Sequence, residues 1–324
     1  MTKAIQIHQT GGPEVLTWEA INVGEPGPGQ VRLKQTACGL NYIDIYGRSG
    51  LYPVPGFPAI LGMEAAGVVE SIGKGVDSLM IGDRVAYAMQ IGAYAETRLI
   101  NADQLVKIPD EINDQTAAAM MLKGLTAHYL LFRTYPVKKG DTILVYAAAG
   151  GVGLILSQWA KRLGATVIGC VGSQQKAQLA SANGCDHIVL YKYENIAARV
   201  RELTAGKGVA VVYDSIGKAT FGASLDCLQP FGVLATYGNA SGAVDSFNPA
   251  ILAAKGSLYV TRPTLSTHLA TRELLVAGVN RLFQAVKAGD ISIQIKQTFA
   301  LSDCADAHRQ LESRNTTGST VLLI

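Results

Sequence analysis

The residues best suited to chemistry form the run Ala147-Ala148-Ala149-Gly150-Gly151-Val152-Gly153, which follows the apolar stretch Ile143-Leu144-Val145. It opens a segment with Leu156, Trp159 and Leu163 at helical spacing. Glycines at such a turn let bare backbone approach a pyrophosphate, whose charge meets the helix N-terminus. A glycine cluster also serves simply as a tight turn. Here a strand, a glycine loop, a helix and a further strand about 20 residues on stand in the order that dinucleotide binding requires. That further strand ends in Cys170-Val171-Gly172-Ser173-Gln174-Gln175-Lys176. It carries no Asp or Glu for a ribose 2′-hydroxyl, so NADPH is expected rather than NADH. Ser173 can donate to a phosphate and Lys176 can supply counter-charge. Lys176 also fits a solvated helix face, and the absent carboxylate carries more of the argument. The expected cofactor-binding residues of this region are Gly150, Gly151, Val152, Gly153, Gly172, Ser173 and Lys176.

Metal chemistry is not expected. Structural zinc takes four thiolates or imidazoles at close spacing, and catalytic zinc takes three ligands and a water. No Cys-x-x-Cys occurs, and His8, His128, His187, His268 and His308 are scattered. Cys38 and Glu64 alone make no site. Cys38, Cys170, Cys185, Cys227 and Cys304 are odd in number and widely spaced, so a reducing, cytoplasmic setting is the expectation. The first residues lack the apolar core of a secretion signal. The net charge is +3, with no block of more than two adjacent Lys or Arg, which argues against nucleic acid as the main partner. The apolar stretch from Ile143 to Ala160 raises the question of a membrane span. Its glycine cluster and short length favour a buried strand, turn and helix instead.

The elements that must position these groups differ along the chain. The first hundred or so residues are rich in Pro and Gly and broken into short β-type runs, such as Val31 to Lys34, Ala66 to Glu70 and Arg84 to Tyr87. They predict an all-β, barrel-like domain. Asp114 is expected to cap a helix through Ala117-Ala118-Ala119-Met120-Met121 toward Phe132. Strand candidates then alternate with helices: Ile143 to Ala147, Thr166 to Val171, His187 to Leu190, Val209 to Tyr213, Val233 to Tyr237 and Leu258 to Thr261. That alternation predicts a doubly wound parallel sheet. The tail from Pro263 holds a helix around Arg272 to Ala288, a short strand, another helix and a terminal strand, and is expected to return to the first domain.

The sequence resembles the zinc-free quinone oxidoreductase and zeta-crystallin branch of the medium-chain dehydrogenase superfamily over essentially its whole length. The most specific run is Gly140-Asp141-x-x-Leu144-x-x-x-Ala148-Ala149-Gly150-Gly151-x-Gly153-x-x-x-x-Gln158-x-x-Lys161. Gly11 to Leu16, Asn41-Tyr42-x-Asp44-x-Tyr46, Arg48 to Pro53 and Leu61 to Gly67 also match. Asn41 and Met63 stand where zinc-dependent relatives carry a cysteine and a histidine, and the cysteine-rich lobe after Ala86 is missing.

The resemblance implies an α/β protein with a GroES-like β-barrel catalytic domain (residues 1–124 and 264–324) and a Rossmann-type NADPH-binding domain (residues 125–263). It implies zinc-independent reduction of a quinone by hydride transfer from the nicotinamide. Asn41, Tyr46, Tyr52 and Arg262 are the implied catalytic residues. Asn41, Lys123 and Thr126 are implied at the nicotinamide end, and Tyr191, Gly238, Asn239 and Arg314 at the adenosine or diphosphate portions. Tyr46 and Tyr52 also fit plain packing, and Arg262 a structural ion pair. A homodimer pairing through residues 256–261 is implied as well.

The nearest rival is an NADPH-dependent 2-alkenal or enone reductase. A short-chain dehydrogenase fits poorly, because Pro136 interrupts the helix that a Tyr135/Lys139 pair would need. An NADPH-binding redox sensor or RNA-binding protein is the alternative of another class.

Overall fold

The computed structural model describes residues 2–324 and divides into two compact units. The first comprises residues 2–125, Leu269–Lys287 and Ile293–Ile324; the second comprises Thr126–His268 and Ala288–Ser292. The division after Leu125 falls inside the helix Asp114–Tyr129.

The first unit is built on a seven-stranded sheet in which Gln30–Leu40 is central. That strand is long enough to pair with three neighbours, Glu64–Ile72, Thr97–Asn101 and Ser319–Leu323, all antiparallel. Val31 and Leu33 alternate with polar residues and face the core, and a register irregularity between Gln35 and Ala37 brings Cys38 to the same core, where they meet Ile5, Val69, Val85, Tyr87, Leu105 and Leu322. The tail strand Ser319–Leu323 also pairs in parallel with Ile295–Ala300. A small sheet of Thr2–Ile7, Thr17–Ile21 and Ala59–Ile60 completes the strands.

The second unit holds a six-stranded sheet whose pairings are all parallel. Numbered by their order along the chain, its strands lie 3-2-1-4-5-6, so the direction of winding reverses between Thr142–Tyr146 and Val209–Asp214. This is the doubly wound dinucleotide-fold order. Val209–Asp214 is buried at every position, the near-continuous apolar run expected of a strand covered on both faces. The helix Gly151–Arg162 buries Leu154, Ile155, Leu156, Trp159 and Ala160.

Three local expectations are corrected. The helix Asp114–Tyr129 is capped by Asn113, whose Oδ1 accepts from the Thr116 N–H at 2.8 Å. Asp114 is turned to a tertiary task, accepting from Arg84 at 2.6 Å and from Thr36 at 2.8 Å. That helix loosens into a π-helical turn over Leu130–Thr134 instead of running on regularly. The strand opening the second unit stops at Tyr146, because Ala147 takes φ +48° and begins the glycine loop. No helix among the described residues is long and apolar enough to cross a membrane.

Candidate functional site

In the second unit the expected binding residues other than Thr126 gather at one edge of the parallel sheet, each following the carboxyl end of a strand. Gly150 to Gly153 follow the first strand, Gly172 to Lys176 the second, Tyr191 the third, Gly238 and Asn239 the fifth, and Arg262 the sixth. Ligands of open α/β sheets bind outside these ends, at the point where the winding reverses.

The local packing explains the glycines. Gly150 precedes the helix Gly151–Arg162, whose start has no side-chain cap, so backbone N–H groups there are left for an anion. A Cβ on Gly153 would collide with the Ala147 carbonyl oxygen and lie 2.8 Å from Ala148 Cα, so only glycine lets this helix pack so closely on the turn. At Gly172 a Cβ would sit 2.5 Å from Tyr191 Oη. Ser173 caps the helix Gln174–Ala182, its Oγ accepting from the Lys176 N–H at 3.3 Å, which places Lys176 on the first turn beside the same strand end. Tyr191 keeps its ring half-exposed while its N–H donates to the Val171 carbonyl at 3.2 Å. A Cβ on Gly238 would collide with the Ser215 carbonyl oxygen. Arg262 donates from Nη1 to the Thr236 carbonyl at 2.7 Å, which ties the guanidinium to the sheet. Thr126 is buried in its helix.

Sequence reading missed Asp214 in this unit. Its buried carboxylate accepts from the N–H of Ile216 at 2.7 Å, Thr220 Oγ1 at 2.7 Å and Ser224 Oγ at 2.9 Å. It fixes the turn after the fourth strand, the turn against which Gly238 packs. A carboxylate closing an apolar strand and followed by Ser215, Thr220 and Ser224 is the signal that marks it.

Asn41, Tyr46, Tyr52, Lys123 and Arg314 belong to the first unit. Asn41 precedes the helix Tyr42–Ser49, and its N–H donates to Asp44 Oδ2 at 2.8 Å. Its side-chain Nδ2 donates to Glu64 Oε1 at 2.8 Å, and Lys123 Nζ lies 2.6 Å from the same oxygen. Tyr46 is buried and meets Tyr52 edge-on with ring centroids 5.2 Å apart. The Tyr52 N–H donates to the Tyr46 carbonyl at 3.0 Å. Arg314 lies on an exposed turn at φ +59°.

Behind Asn41 lies a second buried network. Tyr94 Oη donates to Asp44 Oδ2 at 2.8 Å and lies 3.3 Å from His308 Nε2, while Arg48 Nη1 lies 3.1 Å from His308 Nδ1. Arg48 also pairs with Glu312 at 2.6 Å. Burial pushes the Asp44 carboxyl up to about 7, against the opposing hydrogen bonds from Tyr94 and Asn41. Burial, aided by the Arg48 charge, pushes His308 down to about 3. All five cysteines are free and buried, and burial raises the thiol of each above its ordinary value.

A barrel-like unit joined to a doubly wound sheet with a glycine-rich first turn defines a dehydrogenase of the medium-chain type. Two family descriptions match the chain: the alcohol dehydrogenase GroES-like domain over residues 27–110 and the zinc-binding dehydrogenase domain over residues 151–275. A quinone oxidoreductase of Pseudomonas aeruginosa is 53% identical, with all of both chains covered. A 2-haloacrylate reductase of Burkholderia is 47% identical over 100% of this chain and 99% of its own. The structure of Escherichia coli quinone oxidoreductase complexed with NADPH matches with a TM-score of 0.98 and 46% identity, covering 99% of this chain and 100% of that one. The chain belongs to the quinone oxidoreductase family.

The zinc named in one domain description does not fit these residues. Among the described residues no three His, Cys, Asp or Glu side chains come together in a way that could hold a metal ion. Glu64, the carboxylate that meets the Asn41 side chain, already faces an ammonium and an amide.

Proposed function

We propose that this protein reduces quinones by hydride transfer from NADPH. The observation that carries the reading is the strand edge of the second unit. Glycines open the backbone for a pyrophosphate, and the second strand ends in Gly172-Ser173 with Lys176 one turn on, where an NAD-dependent site places a carboxylate. This donor set suits a 2′-phosphate, and kinship with an NADPH-complexed quinone oxidoreductase supports the same cofactor.

When bound, NADPH supplies the hydride from its nicotinamide ring. In this reading Gly150, Gly151, Val152 and Gly153 meet the pyrophosphate with backbone N–H groups. Gly172, Ser173, Lys176 and Tyr191 hold the adenosine end, and Gly238, Asn239 and Arg314 assist there. Asn41, Lys123 and Thr126 orient the nicotinamide. Tyr46, Tyr52 and Arg262 serve the acceptor, as stacking surfaces or as donors to the oxygen on which negative charge develops. None of them need act as an indispensable acid or base, because a quinone accepts electrons readily.

A homodimer through residues 256–261 belongs to the same reading. Tyr259–Thr261 is the edge strand of the six-stranded sheet, and Tyr259 is 59% exposed there, a surface that a second copy would cover. Five free, buried cysteines support a reducing, cytoplasmic setting.

The test is the initial rate of NADPH and NADH oxidation with 1,4-benzoquinone, 1,2-naphthoquinone and a 2-alkenal, on metal-free protein. Turnover with quinones and NADPH is expected. Turnover with the alkenal alone would move the activity to double-bond reduction, the second reading, which the likeness to a 2-haloacrylate reductase favours.

A further inference from the structure

Glu64 is the fully buried carboxylate that starts the strand Glu64–Ile72. An ionised carboxylate pays heavily for leaving water unless donors surround it. Here both oxygens are engaged: Oε1 accepts from Asn41 Nδ2 at 2.8 Å and from Lys123 Nζ at 2.6 Å, and Oε2 accepts from the Leu122 N–H at 2.6 Å. Room for the group is made by Gly39, where a Cβ would collide with Glu64 Oε1 and the Ala118 carbonyl oxygen. A lysine and a glutamate buried together are a poor device for stability, since apolar residues of like volume do as well or better.

We infer that Glu64 is a positioning residue for the reaction, setting the Asn41 amide and the Lys123 ammonium through a single shared oxygen. The inference rests on the quinone-reducing reading and deepens it. With Nδ2 committed to Glu64, the orientation of the Asn41 amide is settled, and Oδ1 is the acceptor it presents elsewhere. Lys123 Nζ is anchored to the same oxygen at 2.6 Å and carries further N–H donors. Both side chains are those assigned to the nicotinamide end, and both converge on Glu64, from 23 and 59 positions away in the chain. Asn41 Nδ2 makes a longer second contact, 3.4 Å, with the Gly39 carbonyl.

Two variants separate positioning from charge balance. Glu64→Gln keeps the volume and removes the charge. Glu64→Asp keeps the charge and withdraws the acceptor by one methylene, so it tests position separately from charge where Glu64→Gln fails to fold. For each, NADPH affinity, the emission shift of bound NADPH, and kcat with 1,4-benzoquinone per bound NADPH are measured. The expected result is a fall in kcat of about 100-fold for Glu64→Gln and about tenfold for Glu64→Asp. NADPH affinity should change less than fivefold, because the phosphates are held in the second unit, while the emission shift diminishes with the nicotinamide less firmly oriented. Native kcat and native emission shift in folded Glu64→Asp would overturn the inference, leaving Glu64 a charge-balancing group only. A native protein that neither shifts NADPH emission nor oxidises NADPH with quinones would instead overturn the reading on which it rests.

Discussion

The Asp44–Tyr94–His308 network predicts an exchange of protonation that cancels in the native protein and emerges when either end is removed. Asp44 is raised from an ordinary 3.8 to about 7, and His308 is lowered from 6.5 to about 3, chiefly by burial in both cases. The raised carboxyl binds a proton in the folded state that the unfolded chain has lost, so its contribution is present below 3.8 and is lost as pH climbs through 7. The lowered imidazole has the opposite sign: its contribution is present above 6.5 and is lost as pH falls through 3. Between about 4 and 6.5 the folded pair therefore holds its one proton on Asp44 and the unfolded pair holds its one proton on the histidine. The two slopes cancel. His308→Gln keeps an acceptor for Arg48 and a donor for Tyr94 but removes the titrating ring. Its stability relative to the native protein should then fall by about 1.4 kcal/mol per pH unit, or about 3 kcal/mol between pH 4.5 and 6.5. Asp44→Asn should show a rise of similar size over the same interval. The assay is thermal unfolding of the three proteins at pH 4.5, 5.5 and 6.5, where the difference in Tm from native should drift by roughly 4 °C. A difference that stays constant with pH, or slopes of the same sign in both variants, would refute the reasoning.

Further outcomes follow from the nucleotide edge. Lys176→Ala should weaken NADPH binding about tenfold, the value of one charge-assisted hydrogen bond, and leave NADH binding unchanged in fluorescence titrations; equal losses would remove Lys176 from the 2′-phosphate. Gly153→Ala and Gly172→Ala should behave differently. The first drives a methyl into the Ala147–Ala148 backbone and should cost about 1–3 kcal/mol along with NADPH binding. The second meets only the ring of half-exposed Tyr191 and should leave Tm nearly unchanged while weakening NADPH. Thermal unfolding and titration on the two variants check both, and a native affinity in Gly153→Ala would remove the glycine turn from the binding site.

Much of this protein is written in short-range terms. The glycine turn, the missing carboxylate after Val171 and the alternation of apolar strands with helices are properties of contiguous residues. They set the parallel sheet and the glycine-lined edge proposed for the nucleotide, because backbone approach, helix N-termini and strand periodicity are local physics. Where local reading went astray, at Asp114, a side chain with two good options took the tertiary one: Arg84 and Thr36 engage it, and Asn113 caps the helix. Glu64, Asp44 and His308 lay outside what the sequence could assign. Nothing adjacent to Glu64 announces that Asn41 and Lys123 will converge on one of its oxygens, and His308 meets Tyr94 across 214 positions. A buried charge draws its meaning from the partners that replace water around it, and those partners are chosen by the packing of distant segments, which only the tertiary structure decides.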